Sequence, residues 1–400
     1  MRQSSSRGPG WWLVSMPRTP RDIPDATLRL LLADGIGPIT LKRLRARFGD
    51  DDRIVGASIV ELTEVDGIGR ETAQSIRAAI NDAQPEVERG EMERRGAMVM
   101  LLGDADYPPL LASISDAPAA LWVRGAIVES DRLSLALVGS RKCSAYGREQ
   151  AGRFASMLAQ CGLTIVSGGA LGVDGEAHRG ALGVNGRTIV VAGCGLATDY
   201  PGEHAALFEK IVAENAGAIV SEFPMSTPPT AGNFPRRNRI ISGMSLGVLV
   251  IEAAVRSGAL ITARLASEEH HREVMALPGR VDSPASAGCH KAVREGWAAL
   301  VTNHAEVIEQ LDASGQLVRG ALEAAGHGAA RSATLFDGNL TSGQQIIVEV
   351  LQGAGDAMLV DQLASRTQLP MSQVMADLTL LQIRGRVVKD FGGTVRLKKS

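Results

Sequence analysis

The sequence predicts an α/β protein in which a doubly wound parallel sheet lies between an N-terminal helical region and a small C-terminal winged helix. Three observations carry this. Between about residues 96 and 311, short Val/Ile/Leu-rich runs ("LALVGS", "LTIVSGG", "TIVVAGCG", "LGVLVIEA") alternate with helical patterns. Such near-continuous apolar runs mark strands buried on both faces of a parallel sheet. Residues 23–95 read as helical and twice place D-G-I-G before a helix, in "LLADGIGPITLKRLRARFG" and "LTEVDGIGRETAQSIRAAI". Beyond an Ala/Gly/Ser-rich stretch at 312–342, three helical patterns precede "RVVKDFGGTVRL", two short strands about a Gly-Gly turn.

Each segment has its own logic. Residues 1–22 ("MRQSSSRGPGWWLVSM", then "PRTPRD") read as a disordered lead-in, with Met16 as an alternative start and an apolar core too brief for a signal peptide. In the helical region the glycines of D-G-I-G let a turn bend sharply and expose N–H groups at a helix start, the helix-hairpin-helix pattern. The first cations after the two turns are Lys42, Arg43 and Arg70, and a structural or protein-facing role is preferred there over DNA contact. Residues 343–400 form the winged helix. Val374, Leu378 and Leu381 mark the buried face of its third helix. Gln373, Asp377, Thr379 and Gln382 remain, with no Lys or Arg before Arg384. A helix reading duplex DNA carries cations for phosphate, so protein contact or regulation is the preferred reading, with duplex binding second.

Composition narrows the function classes. Lys+Arg (42) and Asp+Glu (44) nearly cancel, for a net charge of −2. That excludes a uniformly basic nucleic-acid coat, and any polyanion site must be a local patch. The four cysteines show no CxxC spacing, so a reduced cytoplasmic chain with neither disulfides nor a zinc site is expected. No run approaches the length of a membrane span.

In a doubly wound sheet, ligands bind outside the carboxyl ends of the strands. Four loops there merit weighing. "LALVGSRKCSAYG" ends a buried strand in Gly139, Ser140, Arg141 and Lys142, with Ser144 just before a helix. This suits an anion but not a dinucleotide, because G-x-G-x-x-G is absent. "SGGALGVDGEAHRGAL" offers Gly168 and Gly169 for close backbone approach. Its Asp174 and His178 stand four residues apart and are read as a helix-start acid and a locally bonded histidine, ahead of an acid/base pair. "GCGLATDYPGEH" contains Asp199, Glu203 and His204, whose spacing matches no metal-ligand pattern. "NFPRRNRIISG" brings Phe234, Arg236, Arg237, Asn238 and Arg239 to one helix start, with Ile240 and Ile241 able to turn toward the core. An aromatic ring beside guanidinium groups is the chemistry of single-stranded nucleic acid, where bases stack and phosphates pair.

Together "GSRKCSAYG", "SGGALGVDGEAH", "YPGEH", "SEFP", "NFPRRNRIISG", "SGALITARLA" and "REVMALPG" occur in order over roughly residues 107–300. This set resembles the DprA/Smf family of DNA-processing proteins. The resemblance implies an extended Rossmann-like domain flanked by a SAM-like helical domain and a winged helix. It further implies single-stranded DNA binding without a nucleotide cofactor, homodimerisation, and loading of the RecA recombinase onto incoming strands during natural transformation. The family's glycine-loop arginine falls on Arg141, and its aromatic-and-arginine loop on Phe234, Arg236, Arg237 and Arg239. Two positions depart from the family: His204 and His290 stand where its members often have Asn.

The expected site therefore has backbone N–H groups of Gly139, Ser140, Gly168 and Gly169, with Arg141, holding phosphates. Phe234 would stack a base, and the three arginines would close the groove. No enzymatic activity is expected. The rival is a phosphoribohydrolase-like nucleotide-processing enzyme, but "SGALITARLA" lacks that signature's glycines and glutamate, leaving only Glu222 and Glu252 as suspect acids.

Overall fold

A computed structural model describes residues 18–311, 340, 342–354, 357–369, 374, 377–378, 381, 386–389 and 394–397. The expected linker at 312–342 lies outside the described residues except at 340 and 342. The expected lead-in is shorter than 22 residues. Arg18 exchanges backbone hydrogen bonds with Val99, its guanidinium pairs with Asp104 at 2.8 Å, and Pro20–Asp22 forms a 3-10 turn. The unpaired edge of a sheet recruits this segment.

The helical region comprises α1 (Asp25–Leu32), α2 (Pro38–Phe48), α3 (Asp51–Gly56), α4 (Ile59–Thr63), α5 (Arg70–Asp82) and α6 (Pro85–Arg95). Its own core gathers Leu30, Leu41, Leu44, Ile54, Leu62, Ile76 and Ile80. Both D-G-I-G turns place a glycine at positive φ, Gly35 at 86° and Gly67 at 80°. Arg43 of the first hairpin donates to the Asp66 carbonyl in the second turn, at 3.1 Å. That cation ties hairpin to hairpin.

The central sheet runs β1 (Ala97–Leu101), β2 (Ala120–Gly125), β3 (Ser134–Val138), β4 (Thr164–Ser167), β5 (Thr188–Val191), β6 (Gly217–Ser221), β7 (Gly247–Val250), β8 (Glu273–Ala276) and β9 (Ala299–Leu300). Its order is β1-β2-β6-β5-β4-β3-β7-β8-β9. From β6 to β9 all neighbours are parallel, while β2 is antiparallel to both β6 and β1. Alternation along β3 fills two cores: Leu135 and Leu137 on one face, Ala136 and Val138 on the other. The helices that follow in the chain are α7 (Pro109–Ala112), α8 (Ala145–Gln160), α9 (Val173–Leu182), α10 (Ala205–Ala213), α11 (Asn233–Gly243), α12 (Gly258–Arg264) and α13 (Ala287–Arg294). Residues 304–311 add one more, α14. α8 and α9 contribute to the Leu135 side, while α11 and α12 contribute to the Ala136 side. β3 and β7 are adjacent, Val138 opposite Val250. The chain leaves β3 for β4 on one side and β7 for β8 on the other, so their carboxyl ends form the crevice where such folds bind ligands.

At the C-terminus, α15 (Ser342–Ala354) and α16 (Val360–Thr367) accompany a three-stranded sheet of β10 (Met358–Leu359), β12 (Thr394–Leu397) and β11 (Val387–Lys389). Val374, Leu378 and Leu381 are helical and buried, as the pattern predicts. Gln373, Thr379 and Gln382 lie outside the described residues.

Candidate nucleic-acid interface

The loop after β3 is built from inside. Gly139 leaves room for α9, since a Cβ there would sit 2.5 Å from the Val173 side chain. The Ser140 N–H donates to the Glu252 carbonyl at 2.8 Å, and its hydroxyl oxygen accepts the Lys142 N–H at 3.1 Å. Ser144 caps α8 by accepting the Gly147 N–H. Its own N–H and hydroxyl both donate to the buried Glu252 carboxylate at 2.7 Å. The expectation that the Ser140 N–H holds phosphate is therefore corrected, and the Ser144 hydroxyl, in the same candidate anion loop, is likewise taken. A carboxylate from the end of β7 takes Ser144, and a carbonyl of the same residue takes Ser140. Arg141 and Lys142 remain, with exposed side chains.

The three arginines of α11 separate into two kinds. Arg237 is 4% exposed and donates to the carbonyls of Gly168, at 2.6 Å, and Val191, at the ends of β4 and β5. Gly168 makes room for it, because a Cβ there would meet the guanidinium at 2.7 Å. Burial pulls the Arg237 pKa down to about 10, against the attraction of Asp174. Asp174 is itself buried, accepts the Ala170 N–H at 3.3 Å, and has its pKa pushed up by burial. Arg239 is 8% exposed and pairs with Asp116 at 3.0 Å and Glu222 at 2.5 Å. Asn238 is buried beside them. The expectation that Arg237 and Arg239 help close a groove is thus corrected, and Asn238, a candidate binding residue, is buried with them: a buried cation must be compensated, and the fold supplies carbonyls and carboxylates for it. Arg236 alone of the three is exposed, 5.3 Å over the Phe223 ring. It also borders a cleft of about 320 Å³ shared with Gly37, Pro38 and Ile39 of the first hairpin.

Phe234 is the meeting point. Its half-buried ring lies against Gly193, where a Cβ would be 2.6 Å from Cδ1. The Arg141 guanidinium stands 4.8 Å from the ring centroid, Arg237 at 6.0 Å and the Tyr200 ring at 5.8 Å. The loops after β3 and β5 and the start of α11 therefore converge on one aromatic, with exposed cations at Arg141, Lys142 and Arg236. Gly169, at φ 68°, packs against Val190 and Phe208 and accepts from His204 through its carbonyl at 2.9 Å.

The remaining candidates are absorbed into the fold. His178 is fully buried, and its Nδ1 lies 2.7 Å from the Thr188 hydroxyl. That hydroxyl donates to the Ile165 carbonyl, so Nδ1 carries the proton. Asp199 receives Arg95 and Arg124, each at 2.9 Å. Among the described residues no His/Cys/Asp/Glu group could hold a metal ion. No helix among them is long and apolar enough to cross a membrane, and the four cysteines are free and buried. The departures from the family are accommodated locally. His204 bonds the Gly169 carbonyl, and His290 Nε2 lies 3.1 Å from the Gly279 carbonyl. Sequence reasoning missed Tyr200, Gly193 and the capping role of Glu252. An aromatic in a Gly/Pro-rich loop at a strand's carboxyl end was the available signal for Tyr200.

A Rossmann-like sheet whose carboxyl edge gathers an aromatic ring and exposed cations, flanked by hairpins and a winged helix, defines a nucleic-acid-handling protein. Residues 98–312 match the family described as DNA recombination-mediator protein A, 336–393 the DprA winged helix domain, and 28–82 the SAM-like helix-hairpin-helix tandem. Protein Smf of Escherichia coli (strain K12) is 43% identical over 299 residues, covering 74% of this chain and 76% of its own. The X-ray structure of DprA from Streptococcus pneumoniae superposes with a TM-score of 0.62 at 30% identity, over 72% of this chain and 98% of that one. DprA from Helicobacter pylori, in a structure concerned with its unique single-stranded DNA binding mode, aligns at 30% identity and a TM-score of 0.48 over 54% of this chain and 95% of that one. The chain belongs to the DprA/Smf family of DNA-processing proteins.

Proposed function

We propose that this chain binds single-stranded DNA over the carboxyl edge of its sheet and acts there by binding, without catalysis. The observation that carries the reading is the exposed Arg141 guanidinium 4.8 Å from the half-buried Phe234 ring. A cation that pairs with phosphate beside a ring that stacks a base is the combination single strands require. Lys142 and Arg236 extend the cationic side. As a recombination mediator, the protein protects incoming strands and loads the RecA recombinase during natural transformation, in the cytoplasm. A homodimer would link two such edges and raise affinity for longer strands.

The two acids a hydrolase would need are both engaged. Glu222 is held by Arg239, and Glu252 caps Ser144. Titration of a labelled oligo-dT followed by anisotropy, beside a matched duplex and a mononucleotide digest, separates the classes. Salt-sensitive preference for the single strand with no released base is the expected result. Released base, or no strand binding, would overturn it.

A further inference from the structure

We propose that Tyr200 is a second base-stacking residue, forming with Phe234 a two-ring platform for neighbouring bases. The proposal rests on the single-strand reading above. The chain holds three tyrosines. Tyr107 and Tyr146 donate their hydroxyls to the carbonyls of Pro118 and Pro278. Tyr146 is as exposed as Tyr200, at 42% against 43%, but only Tyr200 has its ring beside Phe234, 5.8 Å away and tilted by 35°. A base between two rings would need about twice the ~3.5 Å contact distance, so 5.8 Å is too close for a sandwich. Bases would instead lie side by side, one on the Tyr200 ring and one on the Phe234 face that Arg141 covers.

The ring is presented on a rigid support. Asp199, directly before it, is gripped by Arg95 and Arg124. Arg95 also donates to the Leu196 carbonyl at 3.2 Å, and the Gly195 and Ala197 N–H groups bond the carbonyls of Thr227 and Met225. A ring ordered beforehand loses little entropy on binding. The loop "GLATDYPGEH" carries two acids and no Lys or Arg, so it offers stacking surface and no phosphate contact. Phosphates would run on the Arg141 side.

The test is anisotropy with labelled oligo-dT across a salt series, for wild type, Tyr200→Ala, Tyr200→Phe and Phe234→Ala, each checked for an unchanged melting temperature. Tyr200→Ala should bind roughly tenfold more weakly with the same dependence of log K on log salt, and Tyr200→Phe should bind as wild type. In Tyr200→Trp, oligo-dT should quench emission beyond the change seen in wild type. Wild-type affinity in Tyr200→Ala with weakened Phe234→Ala would overturn the proposal and leave the single-strand site standing. Wild-type affinity in both would remove both. A Tyr200→Phe as weak as Tyr200→Ala would replace stacking by a hydroxyl contact and overturn the proposal too.

Discussion

The Arg141 guanidinium lies 4.8 Å from the centroid of the Phe234 ring, although 93 positions of chain separate them. Neither residue reaches the other without the β3 and β5 loops and α11 converging at one sheet edge. On the proposed reading, an incoming base would share or take the ring face that the guanidinium covers, and the cation would turn to phosphate. With Arg141, Lys142 and Arg236 as the exposed cations, affinity should fall with salt at a log–log slope of about −2, at about 0.7 per contact on single strands. Arg141→Ala should bring that slope about 0.7 closer to zero, read from anisotropy at several salt concentrations.

Arg236 and Arg237 are neighbours with opposite jobs. Arg236→Ala should weaken oligo-dT binding and leave the melting temperature unchanged. Arg237→Ala should destabilise the fold by about 3 kcal/mol, because it strands the Gly168 and Val191 carbonyls and leaves the buried Asp174 without its cation. Urea denaturation of the two variants checks both.

Glu252 is a structural acid on this account. Glu252→Ala removes the acceptor of the Ser144 N–H and hydroxyl and should cost about 1–3 kcal/mol. Thermal unfolding measures this, and mononucleotide turnover should be equally absent in wild type and variant.

His178 gives the fold a pH signature. Burial first, then nearby His204 and Arg179, lower its pKa from 6.5 to about 3. The folded state therefore keeps it neutral while the unfolded chain takes up a proton below about 6.5. Its contribution is complete above that pH and is lost on acidification, by up to about 1.4 kcal/mol per unit down to about pH 3. Asp174, raised by burial, acts in the opposite sense, so the comparison must isolate the histidine. The stability gap between wild type and His178→Gln should be widest near pH 8 and shrink between pH 6.5 and 5.

Much of the fold was legible because parallel strands advertise themselves. "TIVVAGCG" and "LGVLVIEA" are apolar on both faces, and both became central strands. The antiparallel setting of β2 was not legible, since the apolar pattern of "ALWVRG" carries no mark of strand direction. At the candidate site, Phe234 and Arg141, which the fold brings within 4.8 Å, were singled out by loop chemistry. The inward turn of Arg237 and Arg239 was not. α11 is buried around its whole girth from Arg237 to Gly243, and the acids that satisfy Arg239 come from Asp116 and Glu222, outside the quoted motif. A charge cluster in sequence cannot announce partners that arrive by folding.

The most direct test of the central claim is the affinity of Phe234→Ala for labelled oligo-dT at one fixed salt concentration. Loss of the stacked ring should cost about 1–3 kcal/mol, a roughly 5- to 150-fold rise in Kd, with the melting temperature preserved. Wild-type affinity in a folded Phe234→Ala would place the strand elsewhere on the molecule.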